Sequence, residues 1–376
     1  MPADPNLTPR ITALLTHFDT VVLPAWTGAG WNPSMQLAHE ALDGATGQPR
    51  PDQRYRTMAC ARQLYVFATM GNLAHAATLF GSLVRHFGDG AGGWLYSIDP
   101  QGAPLDTTRD LYTHAFVVYA CAHYYRASRD PAALEVLHRT VAVIESRFAD
   151  GNGLYHAALA ANFGPNDSGV LQNPIMHLTE AYLAALDVAG EPWMAQRLKT
   201  LADAVHATFV DPADGCVAEL PRGAAGNRIE PGHQFEWYSL VMTAPALFAD
   251  GPLAATLPRA YDFARRHGVA AGTLGVCAAL DGQGAVQDAT ERIWAQTEFA
   301  RALVVHAAVQ HDDAPLAELA ELADWIDSFQ RRFLHARGWH ECLAPDGAVV
   351  RAEMPSTTPY HLLTSWQALR ALLPAA

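Results

Sequence analysis

The chain has 376 residues, of which 50% are hydrophobic and 17% charged, and its formal net charge is −13. This composition is that of a globular protein, and the negative charge argues against binding to nucleic acid or to an anionic membrane. No apolar run reaches the roughly 18 residues that a membrane-spanning helix requires, so we expect no membrane association.

Six predicted helices follow one another along the chain, and each carries a polar or ionisable residue close to its start. Successive residues of this set are 52 to 63 positions apart, a period near 60. In chain order they are Arg62, His114, His177, His233 with Glu236, Glu298 and His361. This period is longer than one helix pair of the short solenoid repeats, so each repeat is predicted to hold two helices and a sizeable loop.

Loops rich in glycine and aspartate recur in step with these helices. Each contains an apolar residue, and these residues are 59 to 63 positions apart: Trp94, Leu154, Val217, Val276 and Trp339. Asp-Gly or Gly-Gly followed by a short alternating stretch is typical of a small hairpin.

The helical segments between the loops are of two kinds. Residues 177–189 are apolar on most faces, which indicates a buried inner helix. Residues 315–334 are amphipathic, which indicates an outer helix, and the predicted polar face carries Glu318, Glu321, Asp324, Asp327 and Arg331. Six such pairs predict an all-α fold, an (α/α)6 barrel with short β-hairpin loops.

We predict a single catalytic domain over residues 1–376. Repeats that pack mainly on their neighbours escape the size limit of one hydrophobic core. Pro174, Pro231 and Pro359 precede three of the histidines and favour a first helical turn there. The histidines are therefore expected at the open end of the ring.

The string Glu230-Pro-Gly-His-Gln-Phe-Glu-Trp237 is the most specific of the motifs. His233 and Glu236 are three residues apart and share a helix face. A carboxylate beside a histidine raises its pKa and fixes its tautomer, which suits a general acid or base near neutral pH. The alternative is a capped helix with a surface ion pair.

His177 and His361 repeat the arrangement of a proline followed by a histidine on an apolar helix. A lone histidine of this kind is more often a hydrogen-bonded core residue. Three histidines at one phase of the repeat favour a shared cavity, because a core role gives no reason for periodic placement.

Four further residues are candidates for the same cavity. Arg62 lies in an apolar helix, where a buried guanidinium needs a partner; we expect it to bind a substrate oxygen, with a carboxylate pair as the structural alternative. Tyr112 is preferred to His114 as the site residue of the next helix. Trp294 offers an aromatic wall for a sugar ring and Glu298 a second carboxylate.

Several other chemistries lack their motifs. The sequence has no HExxH, no His-x-His pair and no acidic coordinating cluster, so we expect no bound metal. It has neither a P-loop nor a dinucleotide fingerprint, so we expect no cofactor. Histidines, carboxylates, an arginine and aromatics remain, a set that suits proton transfer on a small-molecule sugar.

The spacing of the cysteines and the N-terminal sequence are indications of the cellular compartment. The five cysteines form no CxxC pair and are expected to be reduced, mostly buried thiols: Cys60, Cys121, Cys216, Cys277 and Cys342. Residues 1–5 begin no signal-peptide pattern, so we expect a cytoplasmic protein, either a monomer or a homodimer.

Taken together, the motifs resemble those of the N-acylglucosamine 2-epimerase superfamily, in the expected order from about residue 50 to 370. They are Arg62-Gln-Leu-Tyr-Val-Phe-Ala, Asp110-Leu-Tyr-Thr-His-Ala-Phe, Asn173-Pro-Ile-Met-His-Leu-Thr-Glu-Ala, Pro231-Gly-His-Gln-Phe-Glu-Trp, Trp294-Ala-Gln-Thr-Glu and Pro359-Tyr-His-Leu. The ending Ser356-Thr-Thr-Pro-Tyr-His361 is most similar to the mannose isomerase branch.

The resemblance implies a barrel without a metal and two catalytic histidines, His233 and His361. It also implies a pocket lined by Arg62, Tyr112, Asn173, His177, Glu236, Trp294 and Glu298. We predict that His233 opens the sugar ring and that His361 moves a proton between C2 and C1, with the reverse assignment open. Arg62, with His177, is predicted to stabilise the cis-enediolate between these steps.

The expected function is an aldose–ketose isomerase that interconverts D-mannose, or a close relative such as D-lyxose, and the ketose, which is D-fructose for mannose. The main alternative is a 2-epimerase of the N-acylglucosamine or cellobiose type, because both reactions share the intermediate. A sugar-binding protein without turnover, and a glycoside hydrolase that uses Glu236 and Glu298, are the other classes considered.

Overall fold

The structure is a computed structural model that describes residues 6–51, 53–309 and 315–374. Residues 1–5, on which the signal-peptide expectation depends, lie outside the described residues. The described part of the chain forms fourteen α-helices: α1 Leu7–His17, α2 Leu23–Thr27, α3 Thr57–Thr69, α4 Leu73–Phe87, α5 Leu111–Ser128, α6 Pro131–Val143, α7 Gln172–Ala189, α8 Pro192–Phe209, α9 Pro231–Met242, α10 Pro245–Phe248, α11 Pro252–Gly268, α12 Ile293–Val309, α13 Pro315–Phe333 and α14 Thr358–Arg370. Two π-helical segments, Phe18–Val22 and Ile144–Phe148, extend α1 and α6.

The strands are two or three residues long and belong to the loops between helices. They are β1 Trp31–Asn32, β2 Leu37–Ala38, β3 Ala41–Leu42, β4 Tyr55–Arg56, β5 Ser97–Ile98, β6 Pro104–Asp106, β7 Arg109–Asp110, β8 Ala158–Leu159, β9 Ala279–Leu280, β10 Val286–Asp288, β11 Glu291–Arg292, β12 Leu334–His335, β13 Gly338–Trp339, β14 Cys342–Leu343, β15 Val349–Arg351 and β16 Met354–Pro355. Antiparallel pairing joins β4–β5–β6, β7–β8, β9–β10 and β11–β14–β15 into small sheets.

The chain divides into two compact units. The N-terminal unit comprises Thr27–Leu42 and Pro49–Phe209; the C-terminal unit comprises Met1–Trp26, Asp43–Gln48 and Val210–Ala376. The prediction of a single domain stays a prediction.

In the N-terminal unit, three mostly buried helices alternate along the chain with three amphipathic ones. The buried helix α5 packs between α3 and α7, and α4, α6 and α8 pack against α3, α5 and α7 respectively. In α7, every residue from Pro174 to Tyr182 is buried, as the apolar pattern of 177–189 predicts.

The C-terminal unit repeats this arrangement. The buried helix α12 packs between α9 and α14, and α11, α13 and α1 pack against α9, α12 and α14. Helix α13 is amphipathic as predicted, with Leu322, Trp325 and Ile326 on its buried side. Its predicted polar face is wrong at Glu318, which is buried and pairs through its carboxylate with Nδ1 of His306 at 3.0 Å.

All six predicted helices carrying candidate residues are present. Each candidate lies within the first two turns of its helix, in α3, α5, α7, α9, α12 or α14. Pro231 is the first residue of α9, Pro359 the second of α14 and Pro174 the third of α7, so these prolines mark helix starts as predicted.

The predicted hairpin loops are present as well. Antiparallel bridges close them at Gly88↔Trp94, Ala149↔Tyr155, Val210↔Val217, Val269↔Val276 and Leu334↔Trp339. Four of the five apolar residues identified in the sequence are bridge residues. In the remaining loop the bridge is made by Tyr155, which follows the recurring apolar residue Leu154.

Side chains from the buried helices form hydrogen bonds with backbone groups of three of these loops. Gln234 accepts a hydrogen bond from the N–H of Val217 and donates one to its carbonyl, both at 2.8 Å. Gln296 makes the same pair of bonds to Val276, at 2.7 and 3.0 Å. His114 accepts from the N–H of Trp94 at 3.2 Å. The loop before a buried helix is thereby fixed to that helix.

The five cysteine side chains are buried and form no disulfide, as expected for structural thiols. None of the helices formed by the described residues combines the length and the apolar character needed to cross a bilayer.

Candidate active site

The C-terminal unit brings five predicted site residues together at the starts of three neighbouring helices. They are His233 and Glu236 from α9, Trp294 and Glu298 from α12, and His361 from α14. The indole of Trp294 contacts both imidazoles: the ring centroids lie 4.9 Å from His233 and 5.6 Å from His361. The two histidines therefore share one end of this helix layer.

His361 is held by a carboxylate from the adjacent helix. Its Nδ1 lies 2.9 Å from Oε1 of Glu298, and the other oxygen of Glu298 lies 3.4 Å from Arg301. Glu298 is fully buried and His361 is 6% exposed. The sequence predicted Glu298 as a pocket carboxylate, and the structure places it where it fixes the orientation of His361.

Glu236 belongs to the same cluster. Carboxylate oxygens of Glu236 and Glu298 and a ring nitrogen of His361 all lie within 4.8 Å of one another. The sequence contains no metal-ligand spacing, but folding assembles two acids and an imidazole from three helices into a set with the donor atoms of a metal site. The sequence motifs do not show this set, and the expectation of a metal-free protein stays a prediction.

His233 is paired with a residue that the sequence did not single out. Its Nδ1 lies 2.7 Å from Oε1 of Glu219, in the loop before α9, and 3.7 Å from Glu230. The sequence assigned this role to Glu236 from the i,i+3 spacing; spacing within one helix could not reveal a loop that folds back over it.

The carboxylates decide the protonation of His233. Burial lowers the pKa of His233, but the charge and hydrogen bond of Glu219 and the charge of Glu230 outweigh it, so that the pKa is raised above its usual value. An imidazole whose pKa is tuned by neighbouring carboxylates suits acid–base chemistry.

A glycine lets α9 approach Trp294 closely. A Cβ atom on Gly232 would lie 2.7 Å from the indole and 2.8 Å from the Cβ of Ala295. Any side chain at this position would push α9 away from α12 and separate His233 from Trp294.

The indole N–H of Trp294 points to a further use of this ring. Nε1 is buried, and among the described residues it has no hydrogen-bond acceptor. A buried donor without a partner is costly unless a ligand supplies the acceptor, so this N–H is suited to a substrate hydroxyl.

In the N-terminal unit, Arg62, Tyr112 and His177 form a second cluster. Arg62 donates to the hydroxyl of Tyr112 at 2.6 Å, and its guanidinium carbon lies 4.2 Å from the centre of the Phe116 ring. The ring of His177 lies edge-on to Tyr112 at 4.8 Å, and its Nδ1 is 3.4 Å from Glu180. The guanidinium of Arg62 is thus a cation that packs on aromatic rings, an arrangement that stabilises its charge.

The structure places Asn173 and His114 in different surroundings. Asn173, the second residue of α7, is half-buried, and its Oδ1 accepts no hydrogen bond from the described residues. His114 is a core residue: Asp110 accepts from its Nδ1 at 2.7 Å and burial lowers its pKa to about 4, which agrees with the preference for Tyr112.

Comparison with known proteins gives the family. Residues 40–365 match the N-acylglucosamine 2-epimerase (GlcNAc 2-epimerase) family. The chain is also 28% identical over 362 residues to the mannose-6-phosphate isomerase of Rhizobium meliloti (strain 1021), which covers 91% of this chain and 92% of that protein. The chain thus belongs to the N-acylglucosamine 2-epimerase family, as its motifs predicted.

Solved structures show the fold. The cellobiose 2-epimerase of Bacillus thermoamylovorans B4167 is similar with a TM-score of 0.86 at 18% identity, over 97% of this chain and 99% of that one. A crystal structure of a D-mannose isomerase is similar with a TM-score of 0.82 at 18% identity, over 96% and 98%. The prediction of an all-α, (α/α)6-barrel fold is confirmed.

Proposed function

We propose that this protein is an aldose–ketose isomerase that interconverts D-mannose, or a close relative such as D-lyxose, with the ketose by proton transfer through a cis-enediolate. One observation carries the proposal: two imidazoles, each bound at Nδ1 by a carboxylate, contact the same tryptophan. Donation from Nδ1 leaves the lone pair on Nε2, which is the form of the ring that removes a proton.

His233 is assigned to ring opening. Opening a hemiacetal needs a proton removed from the anomeric hydroxyl and one delivered to the ring oxygen, and an imidazole whose pKa is raised by Glu219 exchanges protons at neutral pH. The product is the open-chain aldehyde, with an acidic C–H at C2.

His361 is assigned to the carbon-to-carbon step. Its Nε2 takes the C2 proton, and the electron pair of that bond forms the enediolate. The same imidazole then delivers a proton to C1 while the proton of the C2 hydroxyl passes to the C1 oxygen, which gives the ketose. Glu298, itself paired with Arg301, orients the ring and stabilises its protonated state between the two transfers.

Trp294 and Glu236 are assigned to the sugar. The face of the indole suits the C–H surface of a pyranose, its N–H suits a hydroxyl oxygen, and the carboxylate of Glu236 suits a hydroxyl donor. The role predicted for Arg62 and His177, stabilisation of the enediolate oxygen, stays a prediction.

The second candidate is a sugar 2-epimerase. A second imidazole that delivers the proton to the other face of C2 gives the epimer, and two histidines on one indole supply that second group. We favour the isomerase because a relative similar over 91% of this chain and 92% of its own length carries an isomerase name, and because of the Ser356–His361 ending.

A product panel separates these functions. The purified protein is incubated with mannose, lyxose, mannose 6-phosphate, N-acetylglucosamine and cellobiose, and products are identified by NMR. Fructose from mannose, or the corresponding ketose from another aldose, supports the isomerase; a 2-epimer as the first product supports the second candidate. No conversion of any sugar would reject both.

A further inference from the structure

We propose that Glu219 is a positioning residue of this site: its carboxylate holds His233 with the proton on Nδ1 and keeps the ring against Trp294. The inference rests on the proposed function, but it concerns a residue outside the motifs that predicted the site. Glu219 lies fourteen positions before His233, in a loop between helices.

The loop that carries Glu219 is closed by its own hydrogen bonds. The N–H of Glu219 donates to the carbonyl of Arg228 at 3.1 Å, and the side chain of Asn227 bonds both the N–H and the carbonyl of Leu220, at 2.9 and 2.8 Å. Ile229 then pairs with Leu280, directly before α9 begins. Because these bonds fix the base of the loop, the backbone that carries Glu219 is held in place beside His233.

Glu219 and Glu230 have different relations to the imidazole. Glu219 makes the hydrogen bond, with 2.7 Å between Oε1 and Nδ1. Glu230 lies 3.7 Å away, too far for a hydrogen bond, and its other oxygen accepts from Arg228 at 2.6 Å. Glu219 therefore sets tautomer and position, while Glu230 adds only negative charge. Arg292, in β11, opposes both by its positive charge.

A second loop of the C-terminal unit carries a glutamate at the equivalent position, and that carboxylate has a different role. Glu219 follows the bridge residue Val217 by two positions, and Glu341 follows the bridge residue Trp339 by two. The carboxylate of Glu341 accepts from Trp339 Nε1 at 3.0 Å and from the Thr358 hydroxyl at 2.8 Å. The loop geometry does not by itself require a contact with a histidine, so the pairing of Glu219 with His233 is specific to this site.

The test compares Glu219→Gln with Glu230→Gln. Both remove one negative charge near His233, but only the first removes the carboxylate that is bonded to Nδ1. We expect Glu219→Gln to lower kcat by about 10- to 100-fold, by analogy with the loss of a partner that orients a metal-binding histidine, with a smaller change in KM. Glu230→Gln should lower kcat less.

A spectroscopic readout separates positioning from a merely structural role. In protein labelled with ¹⁵N in the histidine rings, the His233 signal is assigned by its absence in His233→Asn. We expect Nδ1 protonation in the parent protein, and titration at lower pH in Glu219→Gln. In Glu219→Asp, which keeps the charge on a shorter chain, titration and kcat should lie between the two, so this variant decides the matter if Glu219→Gln does not fold.

Three results would overturn the inference. The first is unchanged titration of His233 in a folded Glu219→Gln. The second is equal losses of kcat in Glu219→Gln and Glu230→Gln. The third is an unfolded Glu219→Gln together with kcat and titration in Glu219→Asp that equal those of the parent protein. Absence of turnover in the parent protein would reject the proposed function instead, and the NMR titration would still decide the role of Glu219.

Discussion

At the scale of single residues, the proposed chemistry depends most on His361. We expect His361→Asn to lower kcat by about 10²- to 10⁴-fold, the usual contribution of a general acid or base, while the protein stays folded. The measurement is the initial rate of ketose formation, with thermal unfolding as the check on folding. His138→Asn, on the exposed surface of α6, is the matched control and should keep parent activity.

Gly232 provides a steric test of the same site. Gly232→Ala places a methyl group 2.7 Å from the indole of Trp294, closer than carbon atoms pack, so α9 has to shift. We expect a loss of stability of about 1–3 kcal/mol from overpacking and a loss of activity larger than that of Gly282→Ala, in an exposed turn with open space around it. Parent-like activity in Gly232→Ala would show that the spacing between α9 and Trp294 does not matter.

The pair of His233 and Glu219 predicts a pH dependence of stability. The pKa of His233 is raised in the folded protein, so its bound proton stabilises the fold below the unfolded pKa of about 6.5 and this contribution is lost as pH rises through the folded pKa. The free energy of unfolding of the parent, relative to His233→Gln, should therefore be larger at pH 6 than at pH 9. A larger difference at pH 9 would contradict the assignment.

At the scale of elements, the glutamines that hold the hairpin loops to the helices are the stabilising feature. Gln234→Leu leaves the buried N–H and carbonyl of Val217 without partners, at a cost of about 1–3 kcal/mol for each group. We expect urea to unfold this variant at a clearly lower concentration, whereas Gln283→Leu, in an exposed turn, should change stability by no more than about 0.5 kcal/mol. Equal urea midpoints of unfolding for Gln234→Leu and Gln283→Leu would contradict a structural role for the two hydrogen bonds of Gln234.

The elements themselves were predictable because the repeat leaves a strong signal. Prolines and a recurrent polar residue mark the helix starts, and Asp-Gly and Gly-Gly mark the hairpins, since both depend on local backbone chemistry. The sequence alone did not show that Tyr155, next to Leu154, makes the bridge of its loop, because an isolated bridge gives no alternating pattern that fixes the register. Glu318 was misplaced because its partner, His306, lies on another helix, and helical periodicity does not report such a contact.

The site was predictable to the same extent. His233, Trp294, Glu298 and His361 were identified because they share a phase of the repeat or a family motif. Glu219 was missed because a loop side chain has no periodicity, and its importance follows only from where the closed loop ends. The cluster of Glu236, Glu298 and His361 was missed because its members come from three helices, and ligand spacing along the chain describes only local sites.

At the scale of the whole molecule, the fold follows from the composition of the repeats. Each unit contains three buried helices, each packed against an amphipathic one, and solved structures of about the same length share the fold. Whether the protein is a monomer or a homodimer, and whether it is cytoplasmic, stay predictions, since neither leaves a signal in the packing of one chain.

The central claim is that His361 carries hydrogen between C2 and C1 by way of an enediolate. The direct measurement is incubation of the protein with unlabelled mannose in deuterated water, followed by NMR of sugar and product. Because the proton on the His361 imidazole exchanges with solvent before the transfer to C1, we expect fructose with solvent deuterium at C1 from the parent protein, and neither product nor exchange at C2 with His361→Asn. Fructose formation with undiminished exchange in His361→Asn would contradict the account.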